Sequence, residues 1–172
     1  MSAFLKTIAV LFLITMIPGL ELRASIPMGI LGCEWINSPM PWYAVAITCY
    51  VSNVIIGWIF FSLLHPMVTF FRGAPFIDRL LARYLDRAQR KLKPGVQKYG
   101  FWGLAMFIGI PLPMTGAYTG AAGAYALGMD KRKFMLANVA GVLMAAVLVT
   151  IITLLIQGGY ELFFFKYLIK QS

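Results

Sequence analysis

Residues Lys98 to Lys133 read KYGFWGLAMFIGIPLPMTGAYTGAAGAYALGMDKRK, and the way this stretch meets a bilayer decides the fold. It is apolar from Tyr99 to Leu127, broken at Pro111 and Pro113, and bounded by Lys98 on one side and Lys131, Arg132 and Lys133 on the other. A complete crossing would put those basic ends on opposite faces, against the tendency of Lys and Arg to stay on the cytoplasmic side. A helical hairpin that enters and leaves by one face keeps both ends in the cytoplasm, with Ile110-Pro111-Leu112-Pro113 as its turn. Each arm then has about a dozen residues, roughly 18 Å of helix, enough to reach mid-bilayer and no further.

A bilayer is the expected solvent because the 172 residues are 60% apolar and only 12% charged; a soluble domain carries about 25% charged residues. The net charge of +9 sits mostly between Arg72 and Lys98 and at Lys131 to Lys133. Basic clusters flanking apolar spans mark a cytoplasmic face, so no nucleic-acid partner is expected. Cys33, Cys49 and the single histidine, His65, give neither a disulfide framework nor a metal site, and no cofactor is expected. Lys6 and the apolar run Thr7 to Ile17 look like a signal peptide, but residues 18–23 offer no small-x-small cleavage site. The segment is expected to stay in the mature protein.

Outward from the opening stretch, Phe134 to Ile156 and Pro41 to His65 are clean spans of the ~20 residues a crossing needs. Phe4 to Ile36 is a second interrupted region, with Pro18 and Pro27 bracketing its break and a hairpin opening on the other face. Ile26-Pro27-Met28-Gly29 echoes Leu112-Pro113-Met114-Thr115-Gly116, and Asn53 and Asn138 follow the matching prolines at nearly equal spacing. Inverted repeats whose broken helices meet near the midplane are a recurrent transporter design. The expected architecture is an all-α membrane protein of two inverted repeats. Residues 1–66 form the first, with a re-entrant hairpin at 4–36 and a transmembrane helix at 41–65. Residues 99–158 form the second, with a hairpin at 99–128 and a helix at 134–156. A basic cytoplasmic segment, 67–98, joins them, and 159–172 is an interfacial tail. With two full spans the wall around any cavity is thin, which favours a homodimer.

Within 67–98, Pro75 to Leu92 reads as an amphipathic helix. Ile77, Leu80, Leu81, Tyr84, Leu85, Ala88 and Leu92 share one face, and Asp86 is placed to pair with Arg90 at i+4. Such a helix lies in the interface and attracts anionic lipid headgroups. Trp35, Trp42 and Tyr43 read as an aromatic belt, and Tyr160, Phe163, Phe164, Phe165 and Tyr167 as another or as a short interfacial C-terminal helix.

Glu21 and Arg23 carry the most information. A charge at the bilayer centre costs about 2.5–3.5 kcal/mol on insertion scales, so two in one embedded turn need mutual pairing, water, backbone partners or an ionic ligand. Arginine offers a fork suited to phosphate oxygens; a partly desolvated carboxylate is a candidate proton carrier. Ser25 stands beside them. The second tip contributes Thr115, Tyr118 and Thr119 among Gly116 and Gly120, near a helix N-terminus whose free N–H groups can hold an anion. The two glycines also permit close helix packing, and the hydroxyls can equally bond back to their own helix. Asn53, near the centre of its span, is either cavity lining or interhelical glue.

Residues Glu21 to Gly29 together with Ile110 to Gly120 resemble the small multi-drug export family of prokaryotic membrane proteins, grouped with the DedA/VTT superfamily, over nearly the whole chain. That resemblance implies facing re-entrant hairpins in a prokaryotic plasma membrane, with the basic 72–98 and 131–133 segments cytoplasmic. It also implies lipid translocation of the polyprenyl-phosphate or phospholipid kind, with Arg23 on the phosphate and Glu21 coupling protons. The second tip departs from the DedA pattern in having threonines, a tyrosine and glycines where that pattern has an arginine motif. The expectation is therefore a transporter or flippase of an amphiphilic anion, with small-drug or cation export through Glu21 as the alternative. A lipid-modifying enzyme finds no nucleophile and base in the sequence, and a structural membrane protein would use the tips only for packing.

Overall fold

A computed structural model describes residues 3–32, 36, 40–71, 75–111 and 115–171. Among them there are seven helices and no strands: α1 (Ala3–Thr15), α2 (Glu21–Leu31), α3 (Trp42–Phe71), α4 (Pro75–Tyr99), α5 (Phe101–Gly109), α6 (Ala117–Ala126) and α7 (Lys131–Gln171). Two, α3 and α7, are long and apolar enough to cross a membrane. The arms α1, α2, α5 and α6 have 13, 11, 9 and 10 residues. At about 1.5 Å per residue none matches a hydrocarbon core of about 30 Å.

Prolines and glycines set the breaks. Pro18 has no N–H, and in a continuing helix its ring would clash with the carbonyl of Ile14; α1 stops at Thr15. Gly19 (φ +91°) and Glu21 (φ +48°) then turn the chain through left-handed conformations. In the second half, Ile110 is extended ahead of Pro111, as the residue before a proline tends to be, and α6 starts after Gly116.

Several expected boundaries move. Pro27 lies inside α2 and is not a helix break: position 27 forgoes one backbone hydrogen bond and the helix carries on for another turn. Gly120 lies inside α6 and serves packing instead, since a Cβ there would meet Ile108 Cγ1 at 2.7 Å. The echo between residues 26–29 and 112–116 does not pair like with like at its described end: Gly29 lies inside α2, whereas Gly116 precedes α6; Pro113, expected as a helix break, lies outside the described residues. Pro66 likewise lies inside α3, which runs past His65 to Phe71. The tail 159–172 is not a separate segment, because α7 continues to Gln171. Cys33 and Trp35 lie outside the described residues, as do the side chains of the C-terminal aromatics.

α3 and α7 run antiparallel. Phe61 stacks on Phe134 at 4.4 Å, Asn138 Nδ2 donates to the carbonyl of Val54 (3.2 Å), and Trp42 shares a groove with Leu154. α2 and α6 pack across the halves, each touching both α3 and α7, while α1 lies on α3 and α5 on α7 within their own halves. This pattern is unchanged when the halves are exchanged. α4 packs on α5 and α6 and has no counterpart.

Candidate functional site

The two breaks meet at the start of α2. Glu21, 3% exposed, turns its carboxylate onto the N-terminus of α6. Oε2 accepts from the backbone N–H of Ala117 (3.2 Å) and from Asn53 Nδ2 (3.3 Å). Oε1 accepts from the N–H of Tyr118 (3.4 Å). These N–H groups have no partner within their own helix, and the positive end of the helix dipole favours an anion there. The anion expected at this helix start is thus the chain's own carboxylate. Gly116 makes the approach possible: its φ is +131°, and a Cβ would lie 2.4 Å from Glu21 Oε2.

Arg23 works on the same break from the other side. Its Nη1 donates to the carbonyl of Thr115, and Nη2 donates to Thr115 Oγ1 (2.9 Å) and the carbonyl of Ile110 (3.3 Å). Thr115 Oγ1 donates to that same Ile110 carbonyl (2.8 Å). One half-buried guanidinium therefore ties together the two ends of the α5–α6 connection. Its Nε is buried without a partner. Glu21 and Arg23 do not form an ion pair with each other. Residues two apart on a helix do not face one another, and each side chain serves a different part of the opposite break.

The tie is returned from α6. The Tyr118 hydroxyl donates to the carbonyl of Met16, in the first break, and its ring meets Phe60 edge-on at 4.9 Å. Thr119 lies near Tyr84 of α4, the helix that packs on α6. Burial pushes the Tyr84 phenol above its ordinary value.

Of the residues singled out from sequence, Glu21, Arg23, Asn53, Thr115 and Tyr118 come together. Ser25 does not: it accepts from Thr15 Oγ1 (2.8 Å), donates to the Glu21 carbonyl (3.2 Å) and fastens α2 to α1. Thr119 is adjacent but faces α4. Pro18 and Pro111 delimit the two breaks, and Gly116 lies under the carboxylate. The carbonyls of Met16 and Ile110 were not anticipated as partners, although both lie within two residues of a proline, where regular helix bonding fails. Phe60 carried no signal, being one of many aromatics. Among the described residues no cluster of His, Cys, Asp or Glu is arranged to hold a metal.

A helical bundle with two spanning helices and a charged cluster buried between two helix breaks defines an α-helical membrane protein. The chain belongs to the family described as "Putative small multi-drug export protein", whose pattern it matches over residues 21–148. The match opens at Glu21 and takes in both charged residues and the whole second break. No curated protein and no solved structure matches the chain.

Proposed function

We propose that the protein is a proton-coupled exporter of small amphiphilic molecules, with Glu21 as the coupling carboxylate. The observation that carries this is a buried carboxylate held by the opposite break, next to the Phe60–Tyr118 ring pair. A carboxylate beside aromatic faces suits an amphiphilic cation, through charge and cation–π attraction. The export description of the family points the same way. In this reading α1–α2 and α5–α6 are re-entrant hairpins entering from opposite faces of a prokaryotic plasma membrane, with 72–98 and 131–133 cytoplasmic. The exchange-invariant packing of the two halves supports an inverted repeat with its site at the meeting point.

The coupling follows from what protonation does to the tie. An ionised Glu21 accepts from Ala117, Tyr118 and Asn53. A proton or an organic cation on that carboxylate removes the charge that holds the α6 N-terminus. With the Glu21 tie weakened, only Arg23 and Tyr118 hold the breaks together, and one hairpin can move against the other. Proton and cation compete for one carboxylate, so inward proton movement drives the cation out.

A second reading has its own observation. The Arg23 guanidinium is half-buried and keeps an unpartnered Nε, which suits a lipid phosphate; the protein would then be a flippase of a polyprenyl-phosphate or phospholipid. Purified protein in liposomes separates the two. Efflux of a fluorescent organic cation driven by an imposed pH gradient, lost in Glu21→Gln, is expected. Undiminished gradient-driven efflux in Glu21→Gln would refute the coupling role. Movement of labelled lipid phosphate between leaflets, with no cation efflux, would establish the second reading instead. The liposome protein is expected to be a homodimer.

A further inference from the structure

We propose that the N-terminal half of α4 is a docking surface for the anionic headgroups of the adjacent membrane leaflet. The C-terminal half of the helix is occupied: Ala88 and Leu92 are 2% and 1% exposed and face Gly123 of α6. The N-terminal half is not. Ile77, Leu80 and Tyr84 are 39%, 61% and 36% exposed and form an apolar strip along the edge of the packed face. At roughly 100° per residue the next strip round the helix carries Arg83 and Arg87, followed by Arg79 and Arg90, all exposed.

Among the described side chains, Arg79, Arg83 and Arg87 on this strip form no ion pair. Among the described residues the one ion pair is Arg90 with Asp86, at 2.9 Å. Arg79, Arg83 and Arg87 stand at successive i, i+4 positions, where like charges repel along a helix. A row of unpaired arginines beside an exposed apolar strip fits a partner that is apolar in depth and negatively charged at its face. A leaflet containing anionic lipid is such a partner. A nucleic acid would meet the arginines but leave Ile77 and Leu80 in water.

α4 gives the docking a route inward, since the helix that carries the apolar strip packs on α6, whose Tyr118 N–H donates to Glu21. Seating α4 on the leaflet would therefore hold α6 from its outer side. The docking itself does not depend on what the protein exports.

Hydrogen exchange of the full chain in lipid discs tests this. In discs of phosphatidylcholine mixed with phosphatidylglycerol, amides of residues 77–87 are expected to exchange several-fold more slowly than in phosphatidylcholine alone. The protection should disappear at high salt and in the Arg79→Gln/Arg83→Gln/Arg87→Gln variant. Each arginine is expected to contribute about fivefold in affinity for the charged surface. All three substitutions are on the exposed side, and unchanged exchange in α3 checks that the variant is folded. Equal exchange in the two kinds of disc, or protection that survives the triple substitution, overturns the proposal. Protection of the same amides by polyadenylate in neutral discs, with none from phosphatidylglycerol, overturns it in favour of nucleic acid.

Discussion

Replacing Gly116 by alanine is the sharpest test of the tie between the two breaks. Residue 116 has φ +131° and ψ −169°, a region essentially confined to glycine that costs other residues about 1–3 kcal/mol. The new methyl would also fall 2.4 Å from Glu21 Oε2 and 2.8 Å from Cδ and Oε1, so the carboxylate must withdraw from Ala117 and Tyr118. Hydrogen bonds to a charged group are worth about 1.5–3 kcal/mol. Since two of them share one carboxylate, we count roughly 2–3 kcal/mol for both. Gly116→Ala is then expected to destabilise the fold by about 3–6 kcal/mol, read by reversible unfolding in mixed micelles titrated with dodecyl sulfate. In a Glu21→Ala background the collision is gone and only the backbone strain of about 1–3 kcal/mol remains. The double-mutant cycle should therefore show a coupling of about 2–3 kcal/mol. Additivity within about 0.5 kcal/mol would mean that the carboxylate does not rest on the α6 N-terminus.

Arg23→Lys keeps the charge but loses the fork that reaches Thr115 twice, and should cost about 1–2 kcal/mol while exposing residues 110–117 to protease; an unaltered digestion rate would contradict the assigned contacts. Tyr118→Phe removes the donor to the Met16 carbonyl and should cost about 1 kcal/mol in the same titration, and no loss would place that hydroxyl elsewhere. Ser25→Ala, away from the carboxylate, is expected to cost about 1 kcal/mol and to leave gradient-driven efflux intact; loss of coupling without loss of stability would return Ser25 to the site.

The sequence made the helical class, the two spans and the place of each break legible, because Pro18 and Pro111 interrupt helix bonding for reasons independent of context. It misassigned Pro27 and ended the second span at His65 although α3 runs on through Pro66; within a packed helix a single missing N–H is tolerated. The tail after Gly158 and Gly159 was misread for a related reason: glycine lowers helix propensity without forbidding a helix. At the site, Glu21 and Arg23 were conspicuous because charge in a bilayer demands compensation. Some of the compensating groups, Asn53, Thr115 and the start of α6, were legible as candidates too; the rest were not. Besides Thr115 Oγ1, the partners of Arg23 are backbone carbonyls about ninety positions away, and every residue type carries a carbonyl.

The absence of a Glu21–Arg23 ion pair is what gives the site its mechanical character. Two opposite charges paired locally would have stabilised one turn of α2 and left α6 indifferent to their state. Instead the carboxylate holds a helix start and the guanidinium holds the loop leading into that helix, so both charges on the first break grip the second. Only the carboxylate grip offers a negative charge that a bound cation can take up, because arginine keeps its proton at any physiological pH. Under the proposed function, a proton or a cation arriving at Glu21 would loosen one tie while Arg23 and Tyr118 keep the two breaks in register. That allows a hinged opening without separation of the halves. A Glu21→Gln protein should accordingly rest in the loosened arrangement, with α6 amides exchanging faster than in the parent and the Arg23 contacts retained. Exchange at α6 as slow as in the parent would show that the carboxylate's charge does not hold the helix.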